Sequence, residues 1–287
     1  MSVPREQRIE LPHVALGAQV WGDDSAPPLL ALHGWLDNAG SFALLAPLLA
    51  KQFRVIVLDL PGHGRSDHLP VSASYHYVDY VQAVLSALDV LQLDRCSLLG
   101  HSLGAGIASL VAVAAPARIA RLLLIEGLGP LGDDGSHTLQ RFRDAFPEHV
   151  AAARPLRRFV SVEQAISARS MVSGLPVELA RPIVERGLFE ADGSWCWRSD
   201  PRLTRPSAVR LAEPQIHALL RGIDASTSLL LAQPAASYLP AAQMQARASC
   251  VPAIAVTHLN GGHHLHLEQP AAVAAWIDRG SQHHPHM

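Results

Sequence analysis

The pentapeptide Gly100-His101-Ser102-Leu103-Gly104 constrains this chain more than any other feature. An apolar run, Cys96 to Leu99, precedes it, and an Ala-rich stretch, Leu103 to Ala114, follows. In that frame a Gly-x-Ser-x-Gly motif specifies a strand, a sharp turn and a helix, with the serine held strained at the turn. Backbone segments must pass close to such a serine, and Gly100, Gly104 and Gly106 supply the small residues this requires. The helix opening at Leu103 aims its first amides at the place where negative charge grows during acyl transfer.

Strands and helices alternate on both sides of this turn. Val14 to Trp21, Leu29 to Leu32, Phe53 to Leu58 and Ile119 to Ile125 read as strands. A helix is expected from a Ser41 cap to about Leu49, and another from Tyr77 to Leu91, where Val81, Val84, Leu85, Leu88 and Leu91 keep helical spacing. Alternation at this pace predicts a mostly parallel sheet covered by helices on both faces. The texture changes after Gly129. From Pro130 to Leu211 the chain carries many arginines and helical patches (Thr138 to Phe146, Val162 to Met171, Val177 to Glu185), and no clear strand. Residues 130–211 are therefore expected to form a helical lid inserted into a core made of 1–129 and 212–287. The core resumes with a strand at Leu229 to Leu231, a helix at Ala241 to Ala248, a strand at Ile254 to Thr257 and a helix from Pro270 to Asp278. The tail, His283 to His286, is expected to be unstructured.

Composition removes several function classes. With 23 Lys+Arg against 25 Asp+Glu the net charge is −2, so no basic field exists to attract nucleic acid. At 287 residues and 49% hydrophobic content the chain can bury a sizeable core. Cys96, Cys196 and Cys250 stand alone, which argues against a disulfide framework or a zinc–thiolate site. Met1 to Trp21 lacks the pattern of a secretory signal, and the apolar runs are too short to span a membrane. A cytoplasmic protein with no membrane span is expected.

Three motifs in order carry a family resemblance: His33-Gly34-Trp35, the turn at Ser102, and Gly261-Gly262-His263, with Asp59-Leu60-Pro61-Gly62-His63-Gly64-Arg65-Ser66 as a fourth typical stretch. From about Leu29 to the last helix the chain resembles the α/β-hydrolase superfamily, in its lid-bearing esterase and lipase-like branch. The resemblance implies Ser102 as nucleophile, and backbone N–H groups of Trp35 and Leu103 as the oxyanion hole. It also implies a base directly after glycine and five residues before a Glu, which selects His263 and leaves His264 as the alternative. No cofactor is implied. A metal reading of His263, His264, His266 and Glu268 lacks a second ligand cluster in the sequence.

The third triad member departs from the commonest family pattern. Most members carry the acid after the strand read here at Leu229, yet no Asp or Glu occurs from Ala225 to Leu267. Glu126 ends the strand that follows the nucleophile helix, and functional groups of a parallel sheet gather at such ends. Some α/β-hydrolases carry their acid there, so Glu126 is the expected partner of His263. Asp224, at the wrong end of its strand, is a poor rival. Asp37 is placed to fix the oxyanion loop, or else faces solvent. His33, His101, Phe142 and Phe146 are candidate pocket residues.

The expected activity is cleavage of a small-molecule carboxylic ester, short-to-medium acyl chains favoured, through an acyl-serine. A thioesterase or carbon–carbon bond hydrolase would use the same triad. A serine at the elbow argues against dehalogenase and epoxide hydrolase chemistry, which on this fold resembles it but uses Asp. The rival class is a non-catalytic ligand-binding protein on the same scaffold.

Overall fold

A computed structural model describes residues 3–146 and 157–282. The chain begins with two strands, β1 (Arg5–Glu10) and β2 (Ala15–Trp21), then β3 (Pro28–Leu32), α1 (Ala46–Leu49), β4 (Arg54–Leu58), α2 (Tyr77–Val90), β5 (Cys96–His101), α3 (Leu103–Ala114) and β6 (Ile119–Ile125). An insertion follows, made of α4 (Thr138–Ala145), β7 (Arg158–Phe159), α5 (Val162–Ser173), α6 (Val177–Gly187), β8 (Leu188–Ala191) and β9 (Ser194–Trp197). The chain then returns through α7 (Glu213–Leu220), β10 (Ser226–Gln233), α8 (Ala241–Ala248), β11 (Ala255–Asn260), α9 (Leu265–Glu268) and α10 (Pro270–Gln282).

Eight strands form one sheet in the order β1-β2-β4-β3-β5-β6-β10-β11. Pairing is parallel from β4 to β11 and antiparallel for β1–β2 and β2–β4. Because side chains alternate along a strand, Leu30, Leu32, Leu98, Leu122 and Leu124 join one core, packed with α2, α3, α7 and α8. Leu29, Ala31, Leu99, Leu123 and Ile125 join the other, with Phe42, Leu49, Val273 and Trp276. Parallel strands buried on both faces explain the near-continuous apolar runs in the sequence. They also bring the C-terminal ends of β3, β5, β6, β10 and β11 to one edge, where the loops carrying the candidate site emerge.

Two expectations need correction, and one strand, β1, went unread. Asn38, not Ser41, caps the segment after β3: its side chain accepts from Gly40 N at 2.9 Å and opens a 3₁₀ turn that contains the buried Ser41. β1 is an edge strand with one buried residue, Ile9, so it shows no alternation to read. The insertion is not purely helical, since β7, β9 and β8 make a small antiparallel sheet. Its β8–β9 hairpin turns on Asp192-Gly193, both at positive φ, which is the Asp-Gly signature of a two-residue turn. Part of the expected lid, residues 147–156, and the tail from His283 to His286 lie outside the described residues.

The insertion has a core of its own, including Phe159, Ile166, Leu175, Ile183, Val184 and Leu188. Its two ends are tied together where Asp133 N donates to Leu211 O at 2.9 Å. Buried charge fixes it to the sheet: Arg186 of α6 pairs with the fully buried Asp59 at 2.7 Å. Asp59 also accepts from the amides of Ala39 and Arg65, at 2.7 and 2.8 Å, which makes it the structural anchor of the loops after β3 and β4.

Candidate active site

Ser102 stands between β5 and α3 with φ +52° and ψ −112°, a conformation costly for any residue with a side chain. The packing that enforces it is visible at two glycines. A Cβ on Gly100 would lie 2.4 Å from the Gly104 carbonyl oxygen, and one on Gly104 would lie 2.2 Å from that of Leu32. Both contacts are with backbone, so neither position admits even alanine without displacement. The Ser102 amide donates to Ile125 O at 2.9 Å, which sets the turn against the end of β6. Leu103 is the first residue of α3, so its N–H belongs to a turn with no intrahelical acceptor.

Glu126 follows β6 directly, also at positive φ (+54°), and is 2% exposed. Both carboxylate oxygens are used. Oε1 accepts from Ala232 N at 2.6 Å, and Oε2 accepts from His263 Nδ1 at 3.0 Å. A carboxylate only accepts, so the proton in this hydrogen bond sits on Nδ1. The Glu126 amide donates to Leu230 O at 2.9 Å, so the acid rests on the strand whose own following loop lacks one.

In that acid-free loop stands Tyr238, which the sequence reading passed over. Its ring meets His263 edge-on at 5.2 Å, and burial together with the charge of Glu126 pushes its hydroxyl pKa up to about 12. The only signal available was an aromatic residue in the loop that usually carries the acid.

The loop after β3 is strained as well, with Leu36 at φ +57°. Trp35 is 53% exposed, and its indole donates to Leu203 O of the insertion at 3.0 Å. His33 is not a pocket residue: it is fully buried, donates from Nδ1 to Gly34 O at 2.7 Å, and accepts at Nε2 from Leu60 N at 2.9 Å. Burial pulls its pKa down to about 4, which keeps it neutral in this brace.

His101 is likewise buried rather than cavity-lining. It donates from Nε2 to the His263 carbonyl at 2.9 Å and packs within 4.2–5.1 Å, ring to ring, of His263, His264 and His266. Burial, reinforced by its histidine neighbours, holds its pKa well below the usual imidazole value. His264, the alternative base, lies against Asp37 at 3.4 Å instead of Glu126. No group of three or more His, Cys, Asp or Glu able to hold a metal ion occurs among the described residues.

Phe142 of α4 and Phe146, the residue just after that helix, meet with tilted rings at 5.1 Å, half or more exposed and outside the walls of the cavities described next. One cavity, of about 300 Å³, lies between the insertion and the loop after β3, with Leu36, Asp37, Arg169, Val172, Ile183 and Trp197 among its walls. A second, of about 540 Å³, lies beside Glu126 between the loop after β10 and α8. No helix among the described residues is long and apolar enough to cross a membrane.

The chain resembles known proteins over nearly its whole length. Residues 27–170 match the model of the alpha/beta hydrolase fold family. A serine hydrolase-like protein of Danio rerio is 29% identical over 288 residues, covering 95% of this chain and 86% of that protein. Among solved structures, a hypothetical protein of Pseudomonas aeruginosa PAO1 is 39% identical, with a TM-score of 0.87 and 98% of each chain covered. The thioesterase domain from the curacin biosynthetic pathway is 25% identical, with a TM-score of 0.80, over 96% of this chain and 99% of that one.

Proposed function

We propose that this chain, which belongs to the alpha/beta hydrolase fold family, is a serine esterase working through Ser102, His263 and Glu126. That it is a hydrolase stands on the family and on its serine hydrolase-like relatives; the ester substrate and the triad are our reading. The observation that carries it is the Glu126–His263 hydrogen bond, formed at the strand end next to Ser102 although the usual acid position is empty.

In this mechanism His263 Nε2 takes the proton of Ser102 Oγ as the oxygen attacks the ester carbonyl. Glu126 holds the required tautomer and stabilises the imidazolium that forms. Backbone N–H groups of Trp35 and Leu103 receive the oxyanion of the tetrahedral intermediate. The proton passes from Nε2 to the leaving alcohol, and the acyl group stays on Ser102. Water deprotonated by His263 then attacks, and the carboxylic acid departs. We favour short-to-medium acyl groups because an insertion of this size bounds the space above the strand ends.

The test is hydrolysis of p-nitrophenyl esters from acetate to palmitate by wild type beside Ser102→Ala. The reading expects activity in the wild type, abolished by the substitution, with an optimum at short or medium chains. Equal rates in the two proteins, or none at any length, would contradict it. A second reading, thioester cleavage by the same triad, is favoured by the likeness to a thioesterase domain. Acyl-thioesters run in parallel decide between them by the ratio of kcat/KM.

A further inference from the structure

Asp37 brings one carboxylate against residues from three other stretches of chain. It lies in the loop after β3, 2% exposed. Arg169 of α5 donates from Nη2 to its Oδ1 at 2.5 Å. His264 Nε2 lies 3.4 Å from Oδ2, and His101 Nδ1 lies 3.9 Å from the same oxygen. His101 precedes Ser102 and donates to the His263 carbonyl, and His264 follows His263. The carboxylate therefore meets the insertion through Arg169 and the neighbour of the base through His264, lies beside the neighbour of the nucleophile without a hydrogen bond to it, and belongs to the loop of Trp35. Packing runs along the same line. Leu267 of α9 is buried in the insertion's own core, and Asn38 donates to Ile183 O of α6 at 2.8 Å.

We infer that Asp37 and Arg169 act as a positioning pair, through which the insertion seated on the core sets the alignment of Ser102 with His263. The inference rests on the serine-hydrolase reading and deepens it. Burial alone would push the Asp37 pKa up, but His264 and the Arg169 guanidinium more than reverse this and hold it below the ordinary carboxylate range. Without Arg169 the carboxylate keeps His264 as its side-chain hydrogen-bond partner. It then draws closer to His264 or takes up a proton, and either change moves the residue next to the base. A displacement of about 1 Å in such a site can cost ~10²-fold in rate. The effect belongs in kcat, because the pair acts through His264, the residue next to the base, and not on the substrate. Both residues also line the cavity of about 300 Å³, and a mere wall of that cavity would act on KM.

The experiment compares Arg169→Gln, Arg169→Lys, Asp37→Asn and the Asp37→Asn/Arg169→Gln double variant with wild type, in the full chain. The ester that wild type turns over fastest is the substrate, at a temperature well below every melting midpoint. The rate of Ser102 labelling by a fluorophosphonate is a second readout. The expected result is a fall in kcat of about 10- to 100-fold in Arg169→Gln and Asp37→Asn, with KM within about threefold. The double variant should be no slower than the slower single one, and Arg169→Lys should retain more kcat than Arg169→Gln. Unchanged kcat and labelling in folded variants overturns the inference, and so does a raised KM at constant kcat. If Asp37→Asn does not fold, the two Arg169 variants carry the test, since that side chain is partly exposed. A wild type that neither hydrolyses nor labels overturns the functional reading and this inference with it. Labelling of wild type with unaffected variants overturns this inference alone.

Discussion

Glu126 spends one oxygen on the Ala232 amide and the other on His263, so Glu126→Gln preserves its shape while removing its charge. Its one amide oxygen can accept from only one of the two donors, so its NH2 group faces either the Ala232 N–H or the imidazole Nδ1–H, donor against donor. On the proposed mechanism kcat should fall by ~10³–10⁴-fold with KM nearly unchanged, measured on the best ester. A loss below about tenfold would remove Glu126 from the triad. The residues of this site differ in how well they could be read from sequence. Ser102 announces itself through local chemistry, because its strain requires glycines at fixed offsets. Glu126 was reachable by elimination, since the strand-end rule left it as the carboxylate when the loop after β10 had none. Asp37, Arg169 and His264 were not reachable as a group, because 132 residues separate the paired Asp37 and Arg169 and no local periodicity links them. His33 misled for a similar reason: its position beside the motif suggested a pocket, while its two nitrogens were committed to backbone partners.

Among the elements, the β5–α3 turn is held by close backbone packing. Gly104→Ala would set a methyl 2.2 Å from the Leu32 carbonyl oxygen, so α3 must move away from β3. Such overpacking typically costs about 1–3 kcal/mol, and here it also displaces Ser102. Urea unfolding and ester turnover of this variant should both be impaired; full activity at unchanged stability would mean that the turn is not under this constraint. The insertion is held differently, by charge. Arg186→Met leaves Asp59 buried without its guanidinium, a change worth about 3–5 kcal/mol for a pair this deep. A shift in the unfolding midpoint of less than about 1 kcal/mol would contradict that account. Long elements with clean periodicity were legible: α3, β6 and α8 fall where the apolar spacing puts them. The short ones were not. β8 and β9 have four residues each, too few to display alternation, and only the Asp192-Gly193 turn between them gave a signal.

For the molecule as a whole, buried histidines make stability depend on pH. Burial pulls the folded-state pKa of His33 down to about 4 and those of His63 and His266 to about 3, from 6.5. Below about pH 6.5 the unfolded chain binds protons at these residues and the folded one does not. Stability is therefore lost as pH falls, by about 1.4 kcal/mol per pH unit for each, until the folded-state values are reached. Three such groups acting together can exhaust an ordinary stability of about 5–15 kcal/mol near pH 4–5. Urea midpoints between pH 7.5 and pH 4.5 should drop steeply below about pH 6.5; a flat profile would contradict neutral burial of these rings. The parallel sheet and its two-sided cover were legible from the alternation of strands and helices. Of the histidine cluster beneath the loops, His263, His264 and His266 stand together in the sequence, but only the complete fold packs His101 against them.

On the proposed mechanism Ser102 is the nucleophile, and His263, oriented by Glu126, activates it. The most direct measurement is fluorophosphonate labelling followed by mass spectrometric mapping, with wild type, Ser102→Ala, His263→Ala and Glu126→Gln side by side. Wild type should carry a single adduct on Ser102 and Ser102→Ala none, with labelling slowed by orders of magnitude in the other two. An adduct elsewhere, or equal labelling rates in wild type and His263→Ala, would contradict it.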